Sequence, residues 1–91
     1  MRYEWDSEKE EKNIKVHKID FTTAAKALET GQILYDFYDE ESSAIAGEDR
    51  YIAIVLIEAV LMVVYTMRES NTVTRIISAR KLEEKEVKRL W

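Results

Sequence analysis

Cysteine and proline are absent from this 91-residue chain, glycine occurs twice and histidine once. Without cysteine there is neither a disulfide framework nor a thiolate metal site, and nothing marks an oxidising compartment, so a cytoplasmic location is the simplest expectation. The lack of proline argues against long irregular linkers, and two glycines cannot build a glycine-rich phosphate loop. Metal-binding patterns are missing too. There is no His-Glu-x-x-His, and the acidic set Asp36, Asp39, Glu40 and Glu41 lacks the glycine and terminal glutamate of a calcium loop, so no metal or other cofactor is expected. No serine sits in a nucleophile elbow. The start of the chain, Met1 to Asp6, has no apolar core of the signal-peptide kind. The one membrane-like run, Tyr51 to Met67, is broken by Glu58, rich in valine and isoleucine, and a little short for a span, which excludes a membrane role and reads as two buried strands.

What is present describes an ordinary folded protein: 46% hydrophobic and 35% charged residues. This length corresponds to a single domain, residues 1–91, that buries roughly 60–70% of its unfolded surface. The net charge of −4 speaks against a general nucleic-acid binder, but its distribution matters more than its sum. Residues 1–67 carry seven Lys/Arg against fourteen Asp/Glu, whereas residues 68–91 carry seven against four. The chain therefore has an acidic body and a basic C-terminal end.

The hydrophobic pattern divides the chain into alternating elements. Arg2 to Trp5 predicts a short strand, followed by a helix from about Ser7 to Lys18, with Asp6 or Ser7 as its cap and Ser7-x-x-Glu10 as a capping box. Asn13 and His17 lie on one side of that helix. Phe21 to Gly31 predicts a second helix, capped by Thr22 or Thr23, stopped by Gly31 and rich in alanine for close packing. Ile33 to Tyr38 alternates as a strand. Asp39 to Asp49, with five acids and no cation, predicts a mobile loop. Arg50 to Ile57 and Ala59 to Arg68 are near-continuous apolar runs of central strands, joined at Glu58-Ala59. A turn at Glu69 to Thr72 leads to a strand from Val73 to Arg80, and Leu82 to Trp91 predicts a C-terminal helix. These elements describe an α+β domain: strand, two helices, four antiparallel strands and a final helix, with the helices on one side of the sheet and the open side as the site.

Two constellations carry chemistry. His17 is the only histidine, and histidine is the residue type whose unperturbed pKa lies near neutrality, which makes it the natural general acid or base. The plainer reading, favoured on composition alone, is a structural Asn13/His17 pair at a helix–sheet interface. Arg50, Arg68, Arg75, Arg80 and Lys81 form the second set, suited to hold a phosphodiester and offset the charge developing in its transition state. For any single arginine the plainer reading is a rim salt bridge to the acidic loop; convergence of several favours the phosphate. Period two separates Arg75 from Arg80 unless a bulge intervenes. Among the aromatic residues Tyr65 alone is a candidate for stacking on a base.

Read together, Trp5-Asp6, Lys9, Asn13, His17, Phe21 and Ala24, then Arg50, then Val63-Val64-Tyr65-Thr66-x-Arg68, then Arg75-Ile76-Ile77-Ser78-Ala79-Arg80-Lys81 and Glu86 resemble the BrnT family of type II toxin–antitoxin toxins. The resemblance spans nearly the whole chain. It implies a RelE-like fold: an antiparallel sheet with N-terminal helices packed on one face and a C-terminal helix. It further implies a metal-independent endoribonuclease that cleaves RNA, is neutralised by a ribbon-helix-helix antitoxin, and reaches operator DNA only through that antitoxin. Carried over by position, His17, Arg50, Arg68, Arg75 and Arg80 are the catalytic set, with Lys9 and Lys81 joining Tyr65 on the RNA. One segment departs from the pattern. The family reads Lys-His-Gly where this chain has Val16-His17-Lys18, and a helix can continue through lysine where glycine would end it. The alternative that follows is a catalytically impaired, toxin-like binding module that acts in antitoxin-mediated transcriptional autoregulation.

Overall fold

A computed structural model describes residues 1–90. Nine elements follow in order: β1 (Arg2–Trp5), α1 (Ser7–His17), α2 (Phe21–Thr30), β2 (Gln32–Tyr38), α3 (Glu40–Ala46), β3 (Tyr51–Ile57), β4 (Ala59–Arg68), β5 (Val73–Lys81) and α4 (Glu84–Lys88). The five strands make one sheet in the order β1-β5-β4-β3-β2. Its strands are not all antiparallel, because β1 lies parallel to β5, with Arg2 opposite Val73 and Trp5 opposite Ile76. No helix among the described residues is long and apolar enough to cross a membrane.

The core forms where α1 and α2 meet one face of the sheet. Phe21, Ala24 and Ala27 of α2 are fully buried against Ala53, Val55, Val63 and Ile76. The alanines let the helix backbone approach closely, and Gly31 closes the fit: a Cβ there would lie 2.5 Å from Val55 Cγ1 and 2.6 Å from the Ala27 carbonyl oxygen. Trp5 packs edge-on against Phe21, ring centroids 6.2 Å apart.

Helix ends differ from the sequence expectation in informative ways. Asp6 is the N-cap of α1 but accepts no side-chain bond. Glu10, expected to close a capping box with Ser7, instead accepts from the Phe21 amide at 2.8 Å and so ties α1 to the start of α2. The cap of α2 is Asp20 rather than Thr22 or Thr23, accepting from the Thr23 amide at 2.6 Å. Helix α1 stops at His17 even without glycine. Lys18 takes the left-handed conformation itself (φ 61°) and donates its amide to the Ile14 carbonyl at 2.9 Å.

The segment expected as a mobile loop holds a helix. Asp39 accepts from the Ser42 amide at the start of α3, and Gly47 ends it at φ 72°. Ser43, buried, receives the Arg50 amide at 2.7 Å and locks α3 to the start of β3. The β3–β4 turn falls where expected, with Glu58 at φ 60° between paired Ile57 and Ala59. The final helix is shorter than expected: Leu82 is buried ahead of it, Glu83 and Glu86 form its capping box, and Trp91 lies outside the described residues.

A cationic sheet face and the groove at its edge

Register decides which side chains share a face, since residues directly opposite one another point the same way. Thr66, Val64 and Met62 alternate along β4 and lie opposite Arg75, Ser78 and Arg80 of β5. The shift between Val64 and Tyr65 leaves Ile77 without a partner, so β5 carries a bulge there. The bulge puts Arg75 and Arg80 on one face, which regular alternation forbids. Arg68 lies on the same face, diagonal to Arg75, about 7–8 Å between Cα positions for such neighbours. Arg50 joins them from the connection after α3, immediately before β3. Arg80, opposite Met62, is four strand positions from Arg75's partner Thr66, about 13 Å along the sheet. The face therefore has one cluster of three arginines and a fourth set apart. It is the face opposite α1 and α2, and the C-terminal segment crosses its Arg80 row: Glu86 meets Arg80 at one end, Tyr35 of β2 donates its hydroxyl to the Leu90 carbonyl at the other, and Ile54 between them is buried.

Every one of these arginines is held by a carboxylate. Glu48 bridges two of them, accepting from Arg50 Nε and from an Arg68 terminal nitrogen, each at 2.9 Å. Arg75 donates to Glu4 of β1 at 2.6 Å. Arg80 meets Glu86 with both terminal nitrogens, at 2.9 and 2.8 Å, and the same carboxylate accepts from the Glu83 amide at 2.9 Å. The Arg80 hydrogen bonds, then the Glu83 amide, hold the Glu86 carboxyl down at about 2 from an ordinary 4.5, while the same pair raises the Arg80 guanidinium. A bidentate guanidinium–carboxylate fork has the geometry that also takes a phosphate. Solvent reaches each pair, least at Arg50, whose side chain is 17% exposed, and screens it.

The groove at the β5 edge brings in His17. Strand β1 ends opposite Ile76, which leaves the outer edge of β5 without a strand partner beyond that point. Asn13 fills the gap. Its side-chain amide donates to the Ala79 carbonyl at 2.8 Å, accepts from the Ala79 amide at 3.1 Å and donates to the Ile19 carbonyl at 2.9 Å. Asn13 thus behaves as a one-residue strand, and His17 stands one helical turn beyond it. His17 is exposed and lines a groove of about 230 Å³ with Lys9, Lys12, Ile77 and Ser78. The expected Asn13/His17 pair is replaced by a division of labour, in which Asn13 anchors the helix and His17 faces the bulge.

Two nominated residues stand elsewhere. Tyr65 lies opposite Tyr51 and Ile76, on the helix side of the sheet. It stacks on Tyr51 at 5.5 Å and donates to Asp36 at 2.6 Å; burial and then that bond raise its phenol far above the ordinary value of 10. Lys81 is opposite the buried Leu61 and lines a separate cavity of about 420 Å³ beside Lys26 and Glu58. Neither shares the arginine face. Sequence reading missed Glu48, the hub of the arginine cluster, because its segment was read as a loop; the Asp39-x-x-Ser42 start and Gly47 stop were the available signal for α3.

The fold is that of a small α+β protein with one mixed five-stranded sheet and four arginines on one of its faces. Against solved structures the chain matches the 1.1 Å crystal structure of the Brucella abortus ribonuclease toxin BrnT, with a TM-score of 0.69, 21% identity, and coverage of 92% of this chain and 99% of that one. A comparison with curated proteins finds no match. The model of the BrnT family, described as the ribonuclease toxin of a type II toxin–antitoxin system, matches residues 5–86. This chain belongs to the BrnT family.

Proposed function

We propose that the chain is an endoribonuclease that cleaves single-stranded RNA without a metal ion. The observation that carries this reading is that Arg50, Arg68, Arg75 and Arg80 share the sheet face opposite α1 and α2, beside the groove of His17. In the mechanism, the RNA 2′-hydroxyl attacks the adjacent phosphorus and the 5′-oxygen leaves. The arginines exchange their carboxylates for phosphate oxygens and offset the charge that builds up on the pentacoordinate phosphorus. The cluster of three takes the scissile phosphate and Arg80 a neighbouring one. His17 takes the 2′-hydroxyl proton and returns it to the departing 5′-oxygen, and Lys9 steadies the strand along the groove. Tyr65 and Lys81, on the other face, serve a strand only where it wraps the sheet edge.

In the cell the partner is a ribbon-helix-helix antitoxin that neutralises the toxin, with operator DNA bound through the antitoxin alone; the net charge of the chain, −4, supports that division. Cleavage is tested with purified protein and single-stranded RNA in EDTA. Undiminished cleavage is expected, and chelator-sensitive cleavage contradicts the mechanism. The carboxylate on each arginine favours a second reading, a toxin-like module that binds its antitoxin but no longer cuts. Induction without a partner separates the two: growth arrest, relieved by co-expressing the neighbouring reading frame, supports the toxin, and harmless overexpression supports the module.

A further inference from the structure

We infer that the outer edge of β2 is a docking strand for an extended, cationic and apolar segment of a partner protein, which adds to the sheet as a sixth strand. Strand β2 is the last in the sheet and pairs only with β3. Asp39 donates its amide inward to the Arg50 carbonyl at 2.8 Å, so by alternation the backbone groups of Asp36 and Tyr38 face outward, with no strand to meet them. Natural edges are usually blunted by lysine, proline or a short strand. This one is seven residues long with neither proline nor lysine. Its one irregularity, at Leu34, leaves Tyr35 to Tyr38 in regular register.

Apart from Gln32 and Asp36, the side chains of this edge are apolar on both faces. Ile33, Tyr35, Phe37 and Tyr38 are 43–49% exposed, a concentration that elsewhere in the molecule is covered by helices. Its charge selects the occupant. Between Lys26 and Arg50 the chain has seven Asp/Glu and no cation. A second copy would lay one acidic segment along another, and RNA would bring phosphates to it, so both are repelled. A strand with alternating Lys/Arg and apolar residues gains backbone hydrogen bonds, buried surface and charge complementarity together. The arginine face remains free of this strand, so docking and RNA binding use different surfaces.

The inference rests on the proposed antitoxin only for the protein used in its test. Amide hydrogen exchange is measured on the full chain, alone and with the purified product of the neighbouring reading frame, and affinity is measured for Phe37→Lys and for the exposed-surface double variant Glu40→Gln/Glu41→Gln. Protection of the 32–38 amides in the complex, about tenfold weaker binding by Phe37→Lys, and a shallower salt dependence in the double variant are expected. A complex that forms with the 32–38 amides exchanging as in the free chain, or with unaltered affinity in both variants, overturns the docking strand and leaves the antitoxin reading intact. No complex at all overturns both. Concentration-dependent protection of these amides in the chain alone assigns the edge to a second copy and overturns the inference.

Discussion

The two faces of the sheet satisfy their polar groups by opposite means. Under α1 and α2, Asn13 is a buried polar group fixed by three hydrogen bonds to backbone, amid residues with no exposed surface. On the other face four guanidiniums are each met by a carboxylate that water also reaches. The first arrangement is permanent, because breaking it leaves buried groups unpaired. The second is exchangeable, since a phosphate offers the same oxygens. Pairing of this kind keeps the arginines ordered, and on the proposed reading it leaves them free to exchange a carboxylate for a phosphate.

The comparison predicts where substitutions hurt. Phe21→Ala, in the covered face, should cost about 3–5 kcal/mol in urea unfolding. Asn13→Ala should cost about 1–3 kcal/mol by the same measurement, because the Ala79 amide and carbonyl lose their partner, and it should also loosen the groove of His17. Asn13→Asp separates the two roles, since a carboxylate accepts from the Ala79 amide but cannot donate to its carbonyl. Gly31→Ala should lose about 1–3 kcal/mol, as the new methyl meets a backbone carbonyl that cannot yield. On the arginine face, Glu48→Gln should alter stability by less than about 1 kcal/mol while changing RNA affinity. The smallest effect is electrostatic. The Glu86 carboxyl, at about 2 when folded, is charged at neutral pH, so its contribution is fully present above the ordinary carboxylate range and is lost as pH falls through that range towards 2. Its titration, followed by carbon NMR, should return upward in Arg80→Ala.

Much of this was legible in the residues. Periodicity placed β1 to β5, α1 and α2, and the spacing of cations picked out the arginines. Three things were hidden, each for a physical reason. The bulge at Ile77 adds one residue inside Arg75-Ile76-Ile77-Ser78, where no glycine marks it, and it alone decides whether Arg75 and Arg80 share a face. The left-handed turn at Lys18 is made by a residue that disfavours it, held by the Ile14 carbonyl and by a lysine Nζ donating to the Lys15 carbonyl at 2.9 Å. The pairing of β1 with β5 joins residues seventy apart, and nothing local encodes it. The site was thus readable as a list of residues but not as a surface, since Tyr65 and Lys81 fall on the opposite face from their expected companions.

Single-turnover cleavage of a single-stranded RNA by Arg75→Ala tests the central claim most directly, because Arg75 belongs to the cluster assigned to the scissile phosphate and its one carboxylate partner, Glu4, is partly exposed. The account predicts a fall of about 10²–10³-fold in rate in a variant that keeps the far-UV circular dichroism of the folded parent. A rate within twofold of the parent protein would show that the arginine face is not where RNA is cut.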